Sequence, residues 1–469
     1  MRSPLFILSA TLALIHSALG RSSTGDRVLV VLESQVNQDD YSKFFASLKD
    51  RGFELTFKSP KDDTAELIRW GETQYDHLIV YAPSSKSFAN SLTPKAILDA
   101  QSAGVNTLFL LSPDISEHNR NLLREYDLEF VDNGSVYLDA FHHAHGQSPS
   151  IALLDTATEL VPHQGIFSES LRASGHGSII YPAGTVHNAG LNPYLVDILH
   201  GSKTGYVGQD KTIDPEEAEV ESVVGKPAQG KGPVLAGKKA GLVTALQTRD
   251  NVRVGFVGSG EMLSDKYWGA EVQTAKGVSE TSKNKEFAED FTRWIFQETG
   301  VVKVVATHHH REGESEPRKM YRKKDDLTYT ITLAQHVTTP NGTSSWAPFE
   351  ASDIQLDFTM LDPHYRKTLV VDPSLSTAHA TTYKTGFTAP DRHGVFKFVV
   401  EYWRPGWSYI RTSDTASVVP LRHDEHPRFI TGAWPFYSAA LSASAAFLLF
   451  CGLWLALGEE DKKGKKKAE

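Results

Sequence analysis

The feature that most constrains this chain is a stretch without a single charge, Phe429 to Gly458. Within it, Phe436 to Leu457 is dominated by Ala, Leu and Phe. At about 1.5 Å per helical residue such a run covers roughly 33 Å, enough for the hydrocarbon core of a bilayer. Trp434, Tyr437 and Trp454 stand near its two edges, where amphipathic rings anchor. Residues 434–457 are therefore expected to be a transmembrane helix. Ser438, Ser442 and Ala446 recur every four residues, as do Ala439 and Ala443. Small residues on one face let a second membrane helix approach closely.

The start of the chain reads differently. Arg2, the apolar run Leu5 to Ile15 and the small residues Ala18-Leu19-Gly20 have the order of a secretory signal, residues 1–20. That run is too short to span. Residues 458–469 form a lysine-rich tail, with Lys462, Lys463, Lys465, Lys466 and Lys467. The lysine bias places the tail in the cytosol and the bulk of the chain across the membrane from it. Lys466 and Lys467, followed by Ala468-Glu469, are similar to a dilysine retrieval signal of the endoplasmic reticulum. The expectation is a type I single-pass protein of that membrane.

Roughly 410 residues then lie in the lumen, enough for two or three domains with their own cores. The net charge of −9 argues against a nucleic-acid partner. The only cysteine, Cys451, falls inside the membrane run. The lumenal chain thus has no disulfide, no thiol nucleophile and no cysteine-based zinc site. Asn133 and Asn341 head N-x-S/T triplets and are candidate glycan acceptors.

From Arg27 the pattern alternates. "RVLVVL", "FELTF", "DHLIVYA" and "NTLFLL" are apolar enough for buried strands, while "DDYSKFFASLKDRG", "TAELIRWG" and "TPKAILDAQSAG" have helical spacing between them. Such alternation predicts a doubly wound α/β domain with a parallel sheet covered on both faces, over residues 21–300. Residues 131–235, including "GKPAQGKGP", are less regular. "AGLVTALQ", "VRVGFVG" and the helix "KEFAEDFTRWIFQETG" resume the unit. Residues 301–326 read as a charged linker. Beyond it the period changes to two: Leu327, Tyr329, Ile331 and Leu333 share a face, as do Ile354, Leu356, Phe358 and Met360, and Phe396, Phe398, Val400 and Tyr402. Residues 327–428 are therefore expected to be an antiparallel, sandwich-like β domain.

"QTRDNVRVGFVGSGEMLSD" has the outline of a nucleotide site, an apolar strand breaking at Gly258-Ser259-Gly260 into a helix. The details oppose that. Leu263 stands where a dinucleotide fingerprint needs glycine, and Glu261 where a P-loop needs lysine. Glu261 and Asp265 would cap a following helix and repel phosphate. No Gly-x-Ser-x-Gly elbow is present. In "FHHAH", His143 and His145 would share a strand face; in "THHHREG", His308 and His310 would do so around His309. Two histidines begin a zinc site, but no third or fourth ligand follows at a usual spacing. His142 and its neighbours, and the acidic pairs Asp62-Asp63 and Glu216-Glu217, read as surface residues. No catalytic residue, metal or cofactor is expected.

Four blocks then carry a resemblance: "LVTALQTRDNVRVGFVGSGEMLSD", "WAPFEASDIQLDFTMLDPHYRKTL", "HGVFKFVVEY" and "PRFITGAWPFYSAA". In that order, and ahead of a lysine tail, they resemble the 48-kDa (DDOST) family of oligosaccharyltransferase accessory subunits, over essentially the whole chain. Gln247, Arg249, Asn251, Arg253, Gly258, Ser259, Ser264 and Asp265 match the family's central motif; Asp353-Ile354-Gln355-Leu356 and Asp362-Pro363 match its β-domain motif. "FHHAH" departs from the family pattern.

The resemblance implies work in N-glycosylation, where an oligosaccharide passes from a dolichol diphosphate carrier to a sequon asparagine. It implies a catalytic subunit with its own divalent metal elsewhere, and as further partners a ribophorin-like and a small defender-against-death-type subunit. It also implies an α/β fold similar to glutamine-amidotransferase-like domains, whose cysteine nucleophile this chain lacks. Gln247, Arg249, Arg253, Gly258, Ser259 and Asp265 are then expected to be structural. Whether the three long polar side chains bond internally, meet another subunit or meet the sugar donor is open at this level. An independent lumenal enzyme and a glycan-binding receptor are the rival readings.

Overall fold

The computed structural model describes residues 21–173, 177–209, 235–273, 279–338, 343–426 and 428–457. The signal segment, Glu216-Glu217, "GKPAQGKGP", Asn341 and the tail with Lys466 and Lys467 lie outside the described residues.

The first half is built on a nine-stranded sheet. Its strands are β1 (Arg27–Leu32), β2 (Glu54–Lys58), β3 (His77–Tyr81), β4 (Asn106–Leu110), β5 (Leu128–Phe130), β6 (His187–Ala189), β7 (Leu195–His200), β8 (Gly241–Gln247) and β9 (Arg253–Val257). They run in the order β2-β1-β3-β4-β9-β8-β6-β5, with β7 also on β8. The sheet is mixed, which corrects the all-parallel expectation. β2, β1, β3, β4 and β9 are parallel, but β8 turns directly into β9 as a hairpin and the strands beyond it are antiparallel. The few residues between Gln247 and Arg253 leave no room for the crossover that a parallel pair needs.

Both faces are covered, as the continuous apolar strands require. Val28, Val30, Ile79 and Leu108 pack on one side with α1 (Ser42–Asp50); Leu29, Val31, Leu78 and Phe109 pack on the other with α2 (Pro94–Ser102) and α3 (Glu117–Arg124). Thr93 caps α2 by accepting from the Ala96 N–H, and Pro94 opens its first turn. α4 (Asn284–Ile295) buries Phe287, Phe291, Trp294 and Ile295 against the first side. "TAELIRWG" is not a helix: Ile68–Arg69 and Glu72–Thr73 pair as a small hairpin. Trp70 and Gly71 at its tip take φ of 54° and 85°, a reversal that helical periodicity does not register.

The second half is a β-sandwich. Its strands are β10 (Val302–Arg311), β11 (Met320–Arg322), β12 (Asp326–Thr338), β13 (Ser344–Pro348), β14 (Gln355–Thr359), β15 (His364–Thr368), β16 (Val370–Val371), β17 (Thr381–Thr388), β18 (Gly394–Tyr402) and β19 (Ile410–Val419). One sheet runs β10-β12-β17-β16 with β13 on β12; the other runs β11-β19-β18-β14-β15. Tyr329 of the first sheet lies over Phe398 of the second at 5.4 Å, so the two share one aromatic core. The period-two residues fill that core, with Met360 half-buried at its margin. The stretch expected as a charged linker is part of the sandwich. Val302 and Tyr321 are buried in it, and β10 pairs with β12 along its length. Charged outward positions hide the apolar inward ones when composition alone is read.

α5 (Trp434–Leu457) follows, long and apolar enough to cross a membrane and with none of its residues buried against the rest of the fold. Only a lipid or protein environment removes such a surface from water.

Candidate functional site

The Gly258–Gly260 turn sits at the carboxyl end of β9, the edge where open α/β sheets commonly hold ligands. A cleft of about 250 Å³ opens there between Asp40, Tyr41, Tyr81, Pro182, Ser259 and Glu261. The turn itself is spent on packing. The Gly258 N–H donates to Leu242 O and the Gly260 N–H to Leu111 O. The Ser259 hydroxyl donates to Pro182 O at 2.6 Å. A methyl group on Gly260 would stand 2.6 Å from the Tyr81 ring, and one on Gly258 would meet Tyr181 and the Thr185 and Leu242 carbonyls. The glycines let strands and rings close up.

The short 3-10 helix Gln38–Tyr41 borders the cleft, but its start is already capped by Asn37, which accepts from the Asp39 N–H. Gly260–Leu263 is a single four-residue 3-10 turn, which corrects the expected helix. Asp265 caps elsewhere: its carboxylate accepts from the Ser42 hydroxyl at 2.5 Å and the Lys43 N–H at 2.8 Å, at the start of α1. That start has no side-chain cap of its own, so a distant carboxylate supplies one. Glu261 lies 3.9 Å from Lys266. The Tyr41 and Tyr81 hydroxyls bond each other at 2.9 Å, and burial pushes the Tyr81 hydroxyl well above the usual phenol range. Neither ionises at neutral pH to act as a base, and among the described lining residues there is no histidine or cysteine.

The other motif side chains gather at the opposite, amino edge of the sheet. There the short hairpin between β8 and β9 meets the sandwich loop 403–409. Gln247 donates to Trp407 O at 2.5 Å and accepts from the Gly406 N–H at 3.3 Å. Asn251, held at φ 65°, accepts from the Tyr409 N–H at 2.6 Å and donates to Tyr409 O at 3.2 Å. Two side-chain amides thus treat the loop backbone as an added strand. Arg249 lies over the rings of Tyr194 and Tyr409 at 5.9 and 5.8 Å.

Arg253 braces this contact from behind. It is fully buried, and its guanidinium donates to Trp294 O at 2.6 Å, Thr299 O at 2.7 Å and Gly300 O at 2.8 Å. These carbonyls close the C-terminus of α4, where the helix dipole favours a cation. Burial without a carboxylate partner pulls its pKa down to about 9, so it stays charged at neutral pH. Its plane lies 4.9 Å from the Trp294 ring, and the Trp294 indole donates to Gly406 O at 2.9 Å. A methyl group on Gly300, at φ 70°, would meet Gly165 O at 2.9 Å and Gly406 O closer still. Gly300 O also accepts from the Ser408 N–H. Three backbones therefore touch where the two halves meet.

The network extends along the same edge. Asn106 accepts from the Arg253 N–H at 2.9 Å and from Gln297 at 3.0 Å, and its amide lies 3.3 Å from His77. Sequence reasoning placed neither the loop 403–409 nor Asn106 in a site. The density of Trp, Tyr and Gly in "YWRPGWSY" was the one available signal.

The remaining candidates disperse. His142 contacts Thr204 and the buried Asp139, His143 only bridges to Ala152, and the His145 N–H donates to Gln273 O. Asp62 pairs with Lys58 and Thr64, and Asp63 accepts from the Asn90 N–H. His309 turns inward onto Phe398 while His308 and His310 lie together outside. Among the described residues, no group of three or more His, Cys, Asp or Glu could hold a metal. Asn133 is exposed after β5, its side-chain oxygen accepting from Arg120 at 2.6 Å.

Fold and contact together define a class: an α/β body joined through Gln247, Asn251 and Trp294 to a β-sandwich that leads into one apolar helix. Two family models match it, "OST48, N-terminal domain" over residues 19–298 and "OST48 middle domain" over residues 308–458. The subunit wbp1 of dolichyl-diphosphooligosaccharide–protein glycosyltransferase from Schizosaccharomyces pombe is 36% identical over 451 residues, covering 96% of this chain and 95% of its own. The 48 kDa subunit of that enzyme is 33% identical in Danio rerio, with 98% and 97% covered. In Caenorhabditis elegans it is 32% identical, with 97% of each covered. The chain belongs to the OST48 family.

Proposed function

We propose that this chain is a non-catalytic subunit of an oligosaccharyltransferase in the endoplasmic reticulum membrane. There it supports assembly of the complex that moves a dolichol-linked oligosaccharide onto sequon asparagines. The observation that carries this is the full-length match to proteins named as subunits of that enzyme. The geometry supports a structural part. Gln247, Asn251 and Arg253 are consumed in internal bonds, and Gly258, Ser259 and Asp265 in packing and capping.

The proposal includes a lumenal bulk from residue 21 to about 428, a single span at 434–457 and a cytosolic tail with Lys466 and Lys467 in retrieval. Its partners are the catalytic subunit, a ribophorin-like subunit and a small defender-against-death-type subunit, with glycans on Asn133 and Asn341. The proposal also includes a glutamine-amidotransferase-like fold for the α/β half, with which the five parallel strands are compatible. The one cysteine of the chain lies in α5, away from any site in that sheet.

A pull-down in mild detergent through a tag on the lumenal side, with the eluate assayed on a sequon peptide, tests this. Co-elution of a catalytic subunit with transfer activity, and none from this chain alone, is the expected result. Transfer by the isolated chain, or its elution without partners, overturns it.

A further inference from the structure

One cluster has no part in the contact between the two halves. β10 is an edge strand of the sandwich, bonded to β12 on one side only. Its three consecutive histidines alternate across the sheet. His309 is pinned inward, its ring stacked at 4.7 Å on Phe398 and its Nδ1 2.6 Å from the Tyr321 hydroxyl. Alternation then sends His308 and His310 to the outer face together. Their Nδ1 atoms lie 3.3 Å apart and their ring centroids 5.3 Å. Both rings are partly buried, which limits the rotamers they sample.

Two imidazole nitrogens at that separation are close enough to share one hydrogen or to be bridged by one cation. The spacing is compatible with a tetrahedral ion. Two Zn–N bonds of about 2.0–2.1 Å at the tetrahedral angle hold their nitrogens about 3.3–3.4 Å apart, whereas two cis positions of a square-planar ion need about 2.9 Å. We propose that His308 and His310 form a bidentate site for a tetrahedral divalent cation of the zinc class, with water in the remaining positions. On binding, the hydrogen between the two Nδ1 atoms moves to Nε2 of the same ring. Two lone pairs then face the ion, and no net proton is released.

Two charged side chains set the strength of the site. Lys384 stands in the row His308–Thr330–Lys384 across three strands and repels a cation; its nearest counter-charge is Asp372 at 3.9 Å. Glu314, on the turn after β10, favours positive charge at His310 and is engaged by Arg318 at 2.5 Å. A cation joining positions 308 and 310 also stiffens a strand whose outer edge is unpaired, one way of protecting such an edge.

The test is zinc titration calorimetry on the full chain in detergent, compared with H308Q/H310Q, because the chain carries 19 histidines and only a difference is informative. The wild type is expected to bind one more equivalent than the double variant. Either single variant should bind it at least about tenfold more weakly, since even outer-sphere partners are worth that much. Equal zinc uptake by wild type and double variant overturns the site. K384M leaves both histidines in place and serves as the second variant. Binding about two- to threefold tighter supports the assignment, on the scale of one exposed charge, and unchanged binding overturns it.

Discussion

The two edges of the α/β sheet carry opposite lessons. The carboxyl edge has the position and outline of a ligand site, yet its glycines, tyrosines and serine are engaged with one another. The amino edge has no such outline, yet it gathers Gln247, Asn251, Arg253 and Asn106 around the sandwich loop. Hydrogen-bonding capacity is a better guide to what an edge does than strand polarity. At the amino edge Gln247 and Asn251 end on backbone of the other half and Arg253 on the α4 terminus, while Arg249 lies over Tyr194 and Tyr409.

Acid should break both edges at once, with the largest effect. Burial holds His77 at the amino edge at about 4 and His187, beside the carboxyl edge, at about 3. Above about 6.5 these rings are neutral in both folded and unfolded chains and contribute no pH dependence. Below it the unfolded chain takes protons that the folded one refuses. Stability should therefore fall by about 1.4 kcal/mol per pH unit for each histidine, down to its folded value. Thermal melts of the wild type and of H77Q between pH 7 and 4 check this; the variant should show about half of the loss per pH unit that the two histidines together impose below 6.5.

Next in size is Arg253→Met. It strands the Trp294, Thr299 and Gly300 carbonyls. A loss of about 3–5 kcal/mol is expected, as for breaking a buried charged network. Denaturant melts measure it, and R253K should recover only part, because an ammonium cannot reproduce the fork.

Asn251→Gly sharpens the comparison further. Glycine keeps the positive φ, so the two bonds to Tyr409 are removed without strain. A loss of about 1–3 kcal/mol follows, together with faster proteolysis near Gly300 as the halves part. Gly260→Ala at the carboxyl edge should cost about 1–3 kcal/mol by crowding Tyr81. That cost stays within the α/β half, with the sandwich melting unchanged.

Much of this fold is legible in the sequence because burial writes periods. The buried strands from Val28 to Leu110 and the period-two faces of β12, β14 and β18 are visible as patterns. Topology is not: nothing local in "LVTALQTRDNVRVGFVG" says that the chain turns back antiparallel, except the shortness of the connection. "TAELIRWG" has helical spacing but lies where a reversal at Trp70 and Gly71 is required. The central motif was recognised as a motif, but its partner loop was not. Contacts such as Gln247 to Trp407 join residues 160 apart, and on the loop side they end on backbone, which no residue type announces.

The most direct measurement is made on assembled complexes carrying R253M or N251G. One quantifies how much of the variant chain co-purifies with a catalytic subunit, and the rate of glycan transfer per assembled complex. A structural role for this edge predicts fewer complexes, each transferring at the wild-type rate. Normal assembly with a lost or altered rate per complex would contradict it, and would put these side chains in the chemistry.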